Sequence, residues 1–140
     1  PSAVLALKAT VHTNNRSLAA NDFFTGMFET ALEEDEIIES ISFSKPTKAN
    51  YVKFPNPASR YAMVGVFVAQ FGDEVRVAVT GAGEGGVFRH QEMESVLSSN
   101  FSADSLSSVN IVSEGLISDL HASAEYRANL IKEMTKRAVV

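Results

Sequence analysis

At 140 residues, 45% hydrophobic and 21% charged, the chain is one domain's worth of globular sequence and can bury a core without metals or disulfides. Its net charge of −5, with 12 basic residues scattered from Lys8 to Arg137, disfavours nucleic acid and anionic membranes as partners. It has no cysteine, which rules out thiolate metal sites and iron–sulfur ligation in this chain and suits a cytoplasmic setting.

Val4 to Thr13 alternates and ends at Asn14-Asn15, which predicts a strand, a turn and a return strand from Arg16 to Leu18. Asn21 or Asp22 is placed to cap a short helix through Phe23, Phe24 and Phe28 to about Leu32. The acidic run Glu33 to Glu36 reads as a solvated loop or helix end. Ile37 to Phe43 alternates as a strand, and the polar, proline-bearing Lys45 to Asn50 reads as a linker. Tyr51 to Phe54 predicts a short strand, halted by Pro55 and Pro57, and Tyr61 to Phe71 a long apolar one. Gly72-Asp73 is a two-residue hairpin signal. Beyond it Val75, Val77 and Val79 alternate with Glu74, Arg76 and Ala78, so one face of this antiparallel sheet is expected to meet water.

After a glycine-rich connection come a helix from Arg89 to Ser98, with Met93, Val96 and Leu97 inward, and a weak one from Ser102 to Val109. A final helix runs from near Ser123 to about Ala138. On it Tyr126, Leu130, Ile131, Met134 and Ala138 share a face, while Glu125 near its start and Lys132, Lys136 and Arg137 toward its end suit the dipole. Strands first and helices second predict an α+β fold, with helices on one face of an antiparallel sheet. No stretch reaches the roughly 18 apolar residues of a membrane helix.

Candidate chemistry is sparse. Gly81 to Gly86 has the G-x-G-x-x-G spacing of a dinucleotide loop, but the strand before it is antiparallel and Glu84 would set a negative charge beside a pyrophosphate. It reads instead as a flexible sheet-to-helix connection. His12, His90 and His121 match no metal spacing. Asp119 and His121 read as capping groups rather than a catalytic pair, and Glu92 and Glu94 fall on different helix faces. Phe23, Phe24 and Phe28 form either a core face or a platform for a flat ligand. Lys53, between Tyr51 and Phe54, either snorkels or meets an electron-rich ring or an anionic oxygen. No catalytic residue emerges.

Short motifs in order carry a resemblance. They are Asp22-Phe23-Phe24 with Gly26, Thr30-Ala31-Leu32 and Glu36-Ile37-Ile38; then Tyr51-Val52-Lys53-Phe54 and Arg60-Tyr61-Ala62; then Ser118-Asp119 with Ala122-Ser123-Ala124-Glu125-Tyr126-Arg127. Together they resemble the carboxyl-terminal portion of the FAD-binding medium subunit of molybdenum hydroxylases, of the aerobic carbon monoxide dehydrogenase and xanthine dehydrogenase type. The resemblance implies that residues 1–46 are the tail of an α+β FAD-binding lobe. Residues 47–140 are then a carboxyl-terminal domain, a three-stranded antiparallel sheet packed on a three-helix bundle. Ile38 would pack on the isoalloxazine and Lys53 approach its polar edge, while the loops gripping the FAD pyrophosphate would lie upstream of Pro1. The implied activity is electron transfer from iron–sulfur clusters through FAD to an acceptor. The implied partners are a molybdenum-cofactor subunit, an iron–sulfur subunit and the upstream FAD-binding half. The alternative is a flavin-free domain that makes only subunit contacts. On the fragment reading, Val4 to Phe43 is expected to be poorly buried or to lean on a neighbouring chain.

Overall fold

The computed structural model describes residues 1–139. Its first element is a helix, α1 (Ser2–Ala6), followed by strand β1 (Thr10–Thr13), where alternation had predicted one strand. The cause is distant in sequence. Leu5, Ala6 and Ala9 bury against Ala69 and Ala78, whose small side chains leave a flat seat for a helix. After the Asn14-Asn15 turn come β2 (Ser17–Ala19) and a single helical turn, α2 (Ala20–Phe23). The expected helix to Leu32 stops there and gives way to a hairpin, β3 (Phe24–Gly26) and β4 (Glu29–Thr30). Phe28 at the hairpin tip has φ 61, a left-handed value no helix interior tolerates. Strand β5 (Ile38–Ser42) returns against β1, closing a small antiparallel sheet of order β2-β1-β5.

The larger sheet has four strands in chain order: β6 (Lys48–Pro55), β7 (Ala62–Phe71), β8 (Glu74–Gly83) and β9 (Gly86–Arg89). The Gly72-Asp73 hairpin forms as expected, with Phe71 opposite Glu74 and Gly72 at φ 62. The fourth strand corrects the expected three. It arises because β8 runs through the glycine-rich segment and folds back at Glu84-Gly85, setting Gly83 opposite Gly86. Gly81 to Gly86 is therefore a β-hairpin and not a sheet-to-helix connection.

On the inner face Val64, Val66, Val68, Val75, Val77 and Val79 are fully buried; each such side chain is worth about 1.5–3 kcal/mol of transfer free energy. They pack against α3 (Gln91–Ser99), a 3-10 turn (Ala103–Ser108) and α4 (Ala124–Ala138). In place of the expected three-helix bundle, two α-helices and one 3-10 turn pack on the sheet. The outer face, expected to meet water, is partly covered. Helix α1 lies over Ala69 and Ala78, Arg76 donates to the Leu5 carbonyl at 3.4 Å, and Lys8 pairs with Glu74.

Helix α4 begins as the sequence predicts: the Ser123 hydroxyl accepts from the Tyr126 amide at 3.2 Å, with Glu125 in the first turn and Lys136 and Arg137 in the last. Its buried face differs by one position at the start, taking Arg127 inward and leaving Tyr126 half-exposed, edge-on to Phe54. The opening segment is buried unevenly. Leu5, Ala6, Ala9, Val11, Ala20 and Phe23 are core, whereas every residue of β5 is exposed. Among the described residues no helix is long and apolar enough to cross a membrane.

Candidate functional site

Lys53 lies on β6, the edge strand of the larger sheet, opposite Gly65 of β7, which in turn faces Thr80 of β8. The inward valines alternate with this row, so Lys53, Gly65 and Thr80 share the outer face. Gly65 leaves the middle of the row bare, and the Tyr51 hydroxyl fills the space: a Cβ there would collide with it. Burial raises the Tyr51 phenol above its ordinary pKa. The Lys53 ammonium donates to the Arg60 carbonyl at 3.0 Å. Of its three N–H groups, that bond uses one, and it holds the lysine against a turn where Arg60 has φ 64 and Tyr61 is 80% exposed.

Beside this row opens a groove of about 700 Å³. Thr80, Tyr61, Gly81 and Ile117 line one side of it, and Phe24, Met27 and Phe28 of the β3–β4 hairpin line the other. Two strand spacings separate Lys53 from the groove wall at Thr80, about 10 Å. The phenylalanine platform is split: Phe23 is buried and meets Phe24 edge-on, ring centroids 5.1 Å apart, while Phe28 projects wholly into solvent. No sequence pattern marks the groove, because its two walls come from segments that are distant along the chain.

Ile38 stands apart, on exposed strand β5 of the smaller sheet, opposite Thr13. What precedes it is fixed by a polar knot. The acidic run before it is not uniformly solvated: Glu33, Glu34 and Asp35 are exposed, but the Glu36 side chain is fully buried. Its carboxylate accepts from Arg16 Nε at 2.8 Å and Nη2 at 2.9 Å, from the Glu33 amide at 2.9 Å and from Thr13 Oγ1 at 2.8 Å. The Arg16 guanidinium foremost, then the Glu33 amide, hold its pKa at about 2. An acid among other acids carries no sequence signal that it alone turns inward.

Asp119 and His121 do not cap the helix, whose N-cap is Ser123; Asp119 instead closes the turn before it, accepting from the His121 and Ala122 amides at 2.9 and 3.0 Å, and these amides lower its pKa, with Arg127 adding to them. Arg127, only 4% exposed, donates to Asp119 at 2.9 Å and to the Met63 and Gly81 carbonyls at 2.7 and 3.1 Å. Glu94 is structural as well, accepting from Arg89 and from the Val77 amide.

No family model matches the chain. It is 33% identical over 154 residues to the nicotine 6-hydroxylase medium subunit of Paenarthrobacter nicotinovorans, a match taking in 100% of this chain and 54% of that protein. Among solved structures, quinoline 2-oxidoreductase from Pseudomonas putida 86 has the same fold, with a TM-score of 0.76 and 24% identity, over 97% of this chain and 52% of its own. The chain thus spans about half the length of the relatives it matches.

Proposed function

We propose, from its kinship with the medium subunits of molybdenum hydroxylases, that this chain forms one bank of a flavin site in the intact subunit of an oxidoreductase. In that reading the subunit passes electrons from iron–sulfur clusters through FAD to an acceptor. The observation that carries it is a match along the entire chain to just over half of a medium subunit. Residues 1–46 would complete an FAD-binding lobe, and residues 47–140 would close over the ring. The partners are the upstream half, an iron–sulfur subunit and a molybdenum-cofactor subunit. The carbon monoxide dehydrogenase subtype belongs to the same proposal, and the molybdenum subunit would choose the substrate.

The residues present fit part of that group. Ile38 offers an exposed apolar contact, and Lys53 a cation with donors beyond the one spent on Arg60. A phosphate cradle is missing from the glycine-rich segment, which is a tight hairpin with Glu84 at its turn. Bound FAD would supply the electron exchange. Lys53 would then stabilise negative charge at the ring's polar edge, and Ile38 would keep water from its face. Lys53→Met in the full-length subunit should lower the flavin reduction potential with the fold intact; an unchanged potential removes the role. A second reading, a flavin-free domain making only subunit contacts, draws on the exposed Ile37, Ile38, Ile41 and Phe43. A full-length subunit purified colourless and unable to quench FAD fluorescence would favour it.

A further inference from the structure

We infer that Thr13, Arg16 and Glu36 form a clamp that positions Ile38 for the flavin, an inference that rests on the reading above. Strand β5 has no buried residue, so side-chain packing does not hold it. Its place is set by the ladder to β1 and by the knot just before it. Asn14 extends that knot: its side-chain oxygen accepts from the Ile37 amide at 2.8 Å, and its own amide donates to the Ile37 carbonyl at 3.2 Å. Arg16 also donates to the Ala31 carbonyl at 2.6 Å, tying the far end of the loop. Both backbone groups of Ile37 are therefore bonded to the β1–β2 turn while its side chain remains 69% exposed and that of Ile38 40%.

A buried carboxylate paired with a partly exposed guanidinium is a poor source of stability compared with apolar packing, but a planar, two-pronged pair fixes direction. Here it fixes the exit angle of a strand whose apolar side chains face outward. The clamp acts through Ile38 and is a positioning device, not a catalytic group.

The test uses the full-length, FAD-loaded subunit with Arg16→Lys and Glu36→Gln. Arg16→Lys keeps the charge and loses the fork, and carries the test if Glu36→Gln fails to fold. Expected results are FAD binding weakened about tenfold or more, as for other residues that orient a ligand contact, and an altered visible spectrum of the bound flavin. Ile38→Ala should cost less affinity in the Arg16→Lys background than in wild type, because the two act in series. Wild-type affinity and spectrum in Arg16→Lys, or strictly additive effects, would overturn the clamp while leaving the flavin reading in place. A wild-type subunit that binds no flavin would sink both.

Discussion

Arg127→Met removes a charge buried at the edge of the main core while keeping most of the side chain's apolar volume. The wild-type guanidinium, on a residue only 4% exposed, makes two bonds to backbone carbonyls, Met63 at 2.7 Å and Gly81 at 3.1 Å. Hydrogen bonds from a charged donor contribute about 1.5–3 kcal/mol each. The ion pair with Asp119 adds little, because that carboxylate is open to solvent. The expected loss is about 3–5 kcal/mol, which in a domain of this size lowers Tm by on the order of 10 °C. Urea unfolding followed by circular dichroism should show the midpoint fall with the slope unchanged. Arg137→Met, on the exposed side of the same helix, is the control. If Arg127→Met costs under about 1 kcal/mol, or no more than Arg137→Met, the claim that this arginine fastens α4 to β7 and β8 is wrong.

Gly81 has φ 81 and its Cβ would strike the Ala62 carbonyl, whereas Gly72, at φ 62, has open space around it. Gly72→Ala should therefore cost only left-handed strain, about 1–2 kcal/mol, and Gly81→Ala measurably more by the same denaturation assay. Leu97, 1% exposed between α3 and the sheet, should lose about 3 kcal/mol on truncation to alanine. Glu36 has a pKa of about 2 in the folded chain, below the ordinary 4.5. Its contribution is complete above about pH 4.5 and drains away as pH falls toward 2. A stability–pH curve of Glu36→Gln should be flatter than wild type across that window; equal slopes would refute the assignment.

What the sequence made legible is what a single buried face imposes. The alternating valines of β7 and β8 answer to one apolar side at period two. The residues Leu130, Ile131, Met134 and Ala138 answer to one at helical spacing, and Ser123 announces where that helix begins. Failures occur where the deciding partner is remote. The Val4–Ala6 segment alternates like a strand but becomes a helix because Ala69 and Ala78 provide a seat. Arg127 carries no local sign of burial, because three acceptors from three segments must be known before that burial makes sense. Phe28 reads as helical because nothing local reveals its left-handed backbone. Lys53 and Ile38 stand out through family resemblance more than through any pattern of their own, and the structure sets Lys53 at an exposed position of a half-buried edge strand and Ile38 on an exposed strand of the other sheet.

That separation between what holds the chain together and what it presents decides which substitutions are clean probes. The core is sealed by the valine face, α3 and α4, none of which includes Lys53. Replacing Lys53 by methionine gives up one solvent-accessible bond to the Arg60 carbonyl, which water can satisfy in its place. Gly65→Ala is the contrasting case. It sits beside Lys53 in the same row, but its new methyl group would drive the Tyr51 hydroxyl out of its niche and press on Thr80 at the groove wall. A change in flavin properties from Gly65→Ala would therefore mix displacement of Tyr51 with any effect on the lysine. A change from Lys53→Met, in a subunit of wild-type stability, would report on the lost cation itself.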